Sequence, residues 1–173
     1  MLRLMLLRHA KAGPASAQDF DRSLAPRGRE AAPLMGAYLE EQQLFPDLAL
    51  VSAATRTRET WDLVQPHLGE VEVRYEPRIY EAPPERLLAV LREVEPGIRA
   101  VLMVGHNPGF QDLARLLVGY GDRYAFARVA QKFPTAALAV IDFGEEDWAG
   151  VKPGQGRLDR FVTPKSLGGE EDD

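Results

Sequence analysis

Two of the three histidines in this 173-residue chain share one local setting, the point where a short apolar run stops. Leu4-Met5-Leu6-Leu7 runs into Arg8-His9-Ala10-Lys11, and Val101-Leu102-Met103-Val104 runs into Gly105-His106-Asn107-Pro108. A third run, Leu50-Val51-Ser52, is followed by Ala53-Ala54-Thr55-Arg56. Runs of this kind read as buried strands, and in open α/β sheets ligands bind beyond the carboxyl ends of the strands. With these strands parallel, Arg8, His9, Arg56 and His106 converge on one pocket. Two guanidinium forks, two imidazoles and two helix amino-termini make an anion site suited to a tetrahedral phosphoryl group. The same cluster repels a bare divalent cation, so no metal is expected. Singly, a histidine at a strand end is most often a hydrogen-bonded structural residue. Arg56, opening a helix, opposes the helix dipole, a placement that an anion would compensate. His67 lacks any such context and reads as a solvated residue at a helix end.

The elements that must position these residues alternate along the chain. Strands are expected at 2–8, 47–52, 71–75, 99–105 and 136–143, and helices at about 28–43, 56–67, 84–94 and 109–118. This alternation predicts an α/β fold, a three-layer α/β/α sandwich around a central, mostly parallel sheet. Pro96-Gly97 closes the third helix, and Pro108 stands where a first helical turn tolerates proline. The fourth helix therefore starts just beyond His106, its free N–H groups aimed at the same edge. Residues 12–27 read as a loop, and 119–135 and 144–168 as turn-rich and poorly periodic. One domain is expected over 1–167, followed by a disordered acidic tail at 168–173.

Composition narrows the function classes. The chain is 45% hydrophobic and 27% charged, with a formal net charge of −5, which argues against a nucleic-acid or membrane-surface partner. It has no cysteine, which removes disulfides, thiolate metal sites and thiol nucleophiles and fits a reducing cytoplasm. The amino-terminal apolar run is too short for a membrane span and lacks a cleavage site. The Gly-x-x-x-x-Gly-Lys-Ser/Thr phosphate loop is absent.

These motifs resemble those of the histidine phosphatase superfamily, with a phosphoglycerate mutase-like fold. Leu-Leu-Arg8-His9-Ala10-Lys11 resembles its Arg-His-Gly signature, with Ala10 in place of glycine. Ser52-x-x-x-Arg56-x-x-x-Thr60 resembles its second arginine motif, and Val104-Gly105-His106-Asn107-Pro108 its second histidine motif. Asp21-Arg22-Ser23-Leu24 with Arg27-Gly28, Lys132-Phe133-Pro134-Thr135, and Phe161-Val162-Thr163-Pro164-Lys165 are similar to the small phosphohistidine phosphatase branch, the SixA type.

The resemblance implies a cofactor-free, metal-independent mechanism in which His9 attacks phosphorus and carries a phosphohistidine intermediate that water hydrolyses. Arg8, Arg56 and His106 would hold the phosphoryl oxygens, with Asn107 as a further phosphate contact. His9 must then be neutral on its attacking nitrogen, its other ring nitrogen donating to a backbone acceptor such as Ala12 or Gly13. Glu81, in Arg78-Ile79-Tyr80-Glu81, occupies about the position of the superfamily's general acid. Asp19, Asp21 and Arg22 are candidates for the entrance. The short chain leaves no room for a lid domain, which favours a shallow pocket and a phosphorylated side chain on a protein surface. The expected substrate is phosphohistidine on a protein. The alternatives are a small phosphate ester, with Glu81 as acid, and a non-catalytic phosphate-binding module.

Overall fold

A computed structural model describes residues 1–14 and 18–170. The elements are β1 (Leu2–Arg8), α1 (Pro26–Glu41), β2 (Leu48–Ser52), α2 (Thr55–Val64), β3 (Glu72–Glu76) and α3 (Pro84–Arg92). They continue with β4 (Ala100–Gly105), α4 (Gly109–Leu117), β5 (Val118–Gly121), α5 (Arg123–Gln131), β6 (Leu138–Phe143) and β7 (Gly156–Val162). Seven strands form one sheet in the order β3-β2-β4-β1-β6-β7-β5. β1 to β4 are mutually parallel, β6 runs against both β1 and β7, and β5 pairs parallel to β7. The sheet is therefore mostly parallel, as expected.

Both faces of the sheet are covered, which explains why β1 is apolar at every position from Leu4 to Leu7 rather than alternating. Side chains alternate across a strand, so Leu2, Leu4 and Leu6 enter one core while Met5 and Leu7 enter the other. The first core holds Leu87 and Leu91 of α3, Leu113 and Leu117 of α4, and Val129 of α5. The second holds Met35 and Leu39 of α1 with Trp61 and Val64 of α2. No helix among the described residues is long and apolar enough to cross a membrane.

Several sequence expectations need correction. Residues 119–135 contain most of strand β5 and all of helix α5, and 144–168 contain strand β7. In α5 the apolar residues are spread around the helix: Ala125 and Val129 are buried while Tyr124 and Phe126 are exposed. In β7 a register shift opposite Val140 and Ile141 breaks the period-two pattern. The helix expected to reach 67 ends at Val64 and gives way to a 3-10 turn at Gln65–His67. His67 is not simply solvated: Nδ1 lies 3.1 Å from the Glu40 carboxylate. Its ring also packs so closely on α1 that a Cβ at Gly36 would sit 2.6 Å from Cδ2. Within the expected loop at 12–27, Ala12 bridges Leu24, a 3-10 turn covers Asp19–Asp21 and α1 already starts at Pro26, while 15–17 lie outside the described residues. Of the expected tail, Glu170 pairs with Arg27 at 2.6 Å, and 171–173 lie outside the described residues.

Gly28, in the first turn of α1, lies against the segment that follows His9. A Cβ there would sit 2.2 Å from the Lys11 carbonyl oxygen, so only glycine lets the helix approach this closely.

Candidate active site

The parallel arrangement of β1, β2 and β4 brings His9, Arg56 and His106 to one edge of the sheet. His9 extends the β1–β4 pairing by one residue, its N–H donating to the Gly105 carbonyl at 2.9 Å. The His9 and His106 rings lie 5.4 Å apart between centroids, tilted by 55°. Their residues are 7% and 8% exposed, so both imidazoles are largely withdrawn from water.

His9 Nδ1 is 2.7 Å from the carbonyl oxygen of Ala10. A carbonyl only accepts, so Nδ1 carries the proton and Nε2 keeps its lone pair. The acceptor is Ala10, immediately next to the histidine, and not Ala12 or Gly13 as expected. Burial pushes the His9 pKa well below its ordinary value; the bond to Ala10 opposes this, and the neighbouring His106, Arg8 and Arg56 reinforce it. His9 is therefore neutral near pH 7. His106 Nε2 lies 2.7 Å from the Ser52 hydroxyl at the end of β2. Burial and then the Arg56 charge lower the His106 pKa to about 3, partly offset by Asp19. Its Nδ1 is buried with no hydrogen-bond partner among the described residues.

Arg56 is the second residue of α2 and its side chain is 9% exposed. Thr60, one turn later, fixes this helix to the segment bearing His9. Its hydroxyl oxygen accepts from the Ala10 N–H at 3.0 Å and donates to the Arg56 carbonyl at 2.7 Å. The Thr57 hydroxyl is directed at the Ser52 and Ala54 carbonyls, each at 2.8 Å, which secures the β2–α2 turn. Arg8, at the end of β1, donates from Nη1 to the Phe133 carbonyl at 2.9 Å.

The same carbonyl accepts from Asn107 Nδ2 at 3.2 Å, while Asn107 Oδ1 accepts from the Gln111 N–H at 3.1 Å. The Asn107 side chain thus holds the start of α4 and also borders the groove beside His106. The N–H groups of Phe110 and Asp112 are likewise taken, by the His106 and Pro108 carbonyls at 3.0 Å each. The α4 terminus therefore offers fewer free donors than the sequence suggests. Glu81 is exposed, with φ of 53°, and borders a groove of about 390 Å³ shared with Arg56, His106, Asn107 and Asp112.

Two neighbours, Asp19 (expected only at the entrance) and Tyr80, make contacts that the sequence does not predict. The Arg56 Nη1 donates to the Asp19 carbonyl at 2.8 Å and Nη2 to the Asp19 carboxylate at 3.2 Å. The Tyr80 hydroxyl donates to the same carboxylate, and this bond, ahead of the Arg56 charge, holds the Asp19 pKa down at about 2. The Tyr80 ring meets His106 edge-on at 5.4 Å and Phe20 edge-on at 5.0 Å. Tyr80 thus packs on the His106 ring, while its neighbour Glu81 borders the groove beside it. Nothing in the local sequence marks either contact. No group of three or more potential metal ligands occurs among the described residues.

Comparisons with known proteins bear on the family and the fold. Residues 4–84 match the model of the histidine phosphatase superfamily (branch 1). An uncharacterised protein of Mycobacterium tuberculosis is 36% identical over 163 residues, covering 92% of this chain and all of that protein. A protein of Agrobacterium tumefaciens put forward as the phosphohistidine phosphatase SixA superposes with a TM-score of 0.81 at 30% identity, over 94% of this chain and 98% of that one. Its counterpart from Nakamurella multipartitia gives 0.84 at 27% identity, over 94% and 96%.

Proposed function

The chain belongs to the histidine phosphatase superfamily, in its SixA-type branch, and on that basis we propose that it hydrolyses phosphohistidine on proteins through a phosphorylated His9. The observation that carries the reading is the Ala10 carbonyl on His9 Nδ1, which leaves the Nε2 lone pair free as nucleophile in a largely buried, neutral imidazole. Nε2 attacks phosphorus as the bond to the substrate's imidazole nitrogen breaks. The leaving imidazole keeps the electron pair and departs readily when its distal nitrogen is protonated. Water then cleaves the His9–phosphorus bond, releasing inorganic phosphate and restoring the free imidazole. Arg8 and Arg56 offset charge on the equatorial oxygens, as phosphoryl transfer requires. His106, oriented by Ser52, lines the same space, and Asn107 acts by holding the start of α4.

A second reading is hydrolysis of small phosphomonoesters, favoured by the position of Glu81 beside Arg56 and His106 on the groove. An alkoxide is a poor leaving group and needs a proton, which Glu81 would supply. A binding module without catalysis would have no use for a nucleophile held neutral by burial. The net charge of −5 supports a protein or small-molecule substrate rather than nucleic acid, and a cysteine-free composition supports a cytoplasmic location.

The test is to incubate the protein with a labelled phosphohistidine protein and, separately, with a panel of labelled phosphomonoesters. Acid-labile label should appear on wild-type protein and not on His9→Ala, with faster turnover of the phosphohistidine protein. Absence of labelling and of phosphate release with every donor would sink both enzyme readings.

A further inference from the structure

We propose that Asp19 is a positioning residue that sets how strongly the pocket holds an oxyanion: it grips the outer edge of Arg56, so an arriving phosphoryl group shares that guanidinium with a resident anion. The inference rests on the reading that Arg56 holds the transferred phosphoryl group.

The geometry is bidentate. The Asp19 backbone oxygen takes one terminal nitrogen of Arg56 and its carboxylate takes the other, at 2.8 and 3.2 Å. A guanidinium has five N–H donors, so two are occupied and the rest remain for a ligand. The carboxylate is itself fixed by the Tyr80 hydroxyl and, at 3.3 Å, by Arg22. Tyr80 in turn packs edge-on against His106, so Asp19 ties the arginine clamp to the histidine wall. Among the described residues Asp19 is the carboxylate that pairs with Arg56.

The charge balance gives this contact a purpose. With His9 and His106 neutral, the fixed positive charge of the pocket comes from Arg8 and Arg56. A phosphatase gains nothing from holding substrate and product oxyanions tightly in the ground state, because uniform binding does not speed the chemical step. A carboxylate on the outer edge of Arg56 lowers that hold while leaving the inner donors in place. It also fixes the plane of the guanidinium, whose long side chain would otherwise lose rotamer freedom only on binding.

Asp19→Asn tests this, because it keeps the size and an acceptor oxygen but removes the charge. Inorganic phosphate is the probe, measured by calorimetry and as a product inhibitor of turnover. The variant should bind phosphate about tenfold more tightly, the direction that losing one nearby carboxylate charge dictates. Both KM and kcat should fall together as phosphate release slows. Asp19→Glu, which keeps the charge, should bind phosphate near the wild-type level. Asp19→Ser repeats the charge removal with a smaller side chain, and unfolding temperatures confirm that each variant is folded. A merely structural Asp19 would give the opposite sign, since a loosened Arg56 binds phosphate more weakly. Phosphate binding by Asp19→Asn that is unchanged or weaker, in a wild type that does turn over, overturns this inference alone. A wild type that neither binds phosphate nor releases it overturns the site reading as well.

Discussion

Thr60 is the residue at which catalytic geometry and stability can be separated most cleanly. It is fully buried, and its one hydroxyl both accepts from the Ala10 N–H and donates to the Arg56 carbonyl. Thr60→Val keeps the shape and removes the hydroxyl. The Arg56 carbonyl keeps the option of its helical partner, but the Ala10 N–H is left without one. A buried unsatisfied donor costs about 1–3 kcal/mol, partly offset by the added apolar surface of valine, so a net loss of about 1–2 kcal/mol is expected. For a chain of this size that is a fall of roughly 3–6 °C in Tm. The rate should suffer further, because Thr60 holds the N–H of the residue whose carbonyl fixes the His9 tautomer, and a small misplacement of a reacting group costs up to about 100-fold. The assay is chemical denaturation together with phosphatase turnover, with Thr60→Ser as the control that keeps the hydroxyl. Thr60→Val with wild-type stability and rate would refute the reasoning, as would Thr60→Ser behaving like Thr60→Val.

Stability should depend on pH through the buried histidines. The His106 pKa falls from 6.5 to about 3 on folding, so the unfolded chain takes up a proton that the folded one refuses between those limits. Its contribution is intact above pH 6.5 and lost as pH drops towards 3; at pH 5 the loss is about 2 kcal/mol from this residue. Denaturant unfolding at pH 7.5 and 5 should show it, and His106→Gln should be less acid-sensitive. Glu81→Gln should barely change phosphohistidine turnover but cripple hydrolysis of alkyl phosphates; a large loss with both substrates would count against the phosphohistidine reading. Gly28→Ala should destabilise the fold by about 1–3 kcal/mol, because its Cβ meets the rigid Lys11 carbonyl. A neutral result in thermal unfolding would show that α1 can shift away. EDTA should leave turnover unchanged if His9 carries the phosphoryl group, and activity lost and restored by added metal would contradict that role.

The parts of the site legible in sequence are those attached to strand ends. Arg8-His9, Arg56 and His106 each follow a strand buried on both faces, and such a strand is apolar at almost every position, which marks its end sharply. Asp19 is read from the sequence only as an entrance candidate and Tyr80 not at all, because the Asp19–Arg56 and Tyr80–Asp19 contacts join residues 37 and 61 apart in the chain, met only when the segment before α1 closes over α2. Glu81 illustrates the limit at one-residue scale: a carboxylate draws attention as an acid, while the phenol beside it packs on His106. In the fold, β7 is hidden by its register shift and by its half-buried charged residues Arg157, Asp159 and Arg160, which ion pairs hold against one another and against the buried Asp142 of β6. Arg157 meets the buried Asp142 at 3.0 Å, and Asp142 in turn pairs with Arg3 at 2.6 Å. No local pattern announces that a charged position will be inside.

The central place of β1 also has a consequence in time. Its two neighbours are β4 and β6, roughly 100 and 135 residues further along the chain. At a synthesis rate of about 5–20 residues per second, the strand carrying Arg8 waits on the order of ten seconds for its second partner to be made. Until β4 is made, Leu4-Met5-Leu6-Leu7 is an apolar strand without a partner, the kind of segment that chaperones hold and aggregates recruit. The His9 carbonyl accepts from the Ala136 N–H, so the pocket closes only once residue 136 has been made and joined the fold. Partial chains therefore carry His9 but not a working site, and phosphatase activity during synthesis should appear abruptly rather than by degrees.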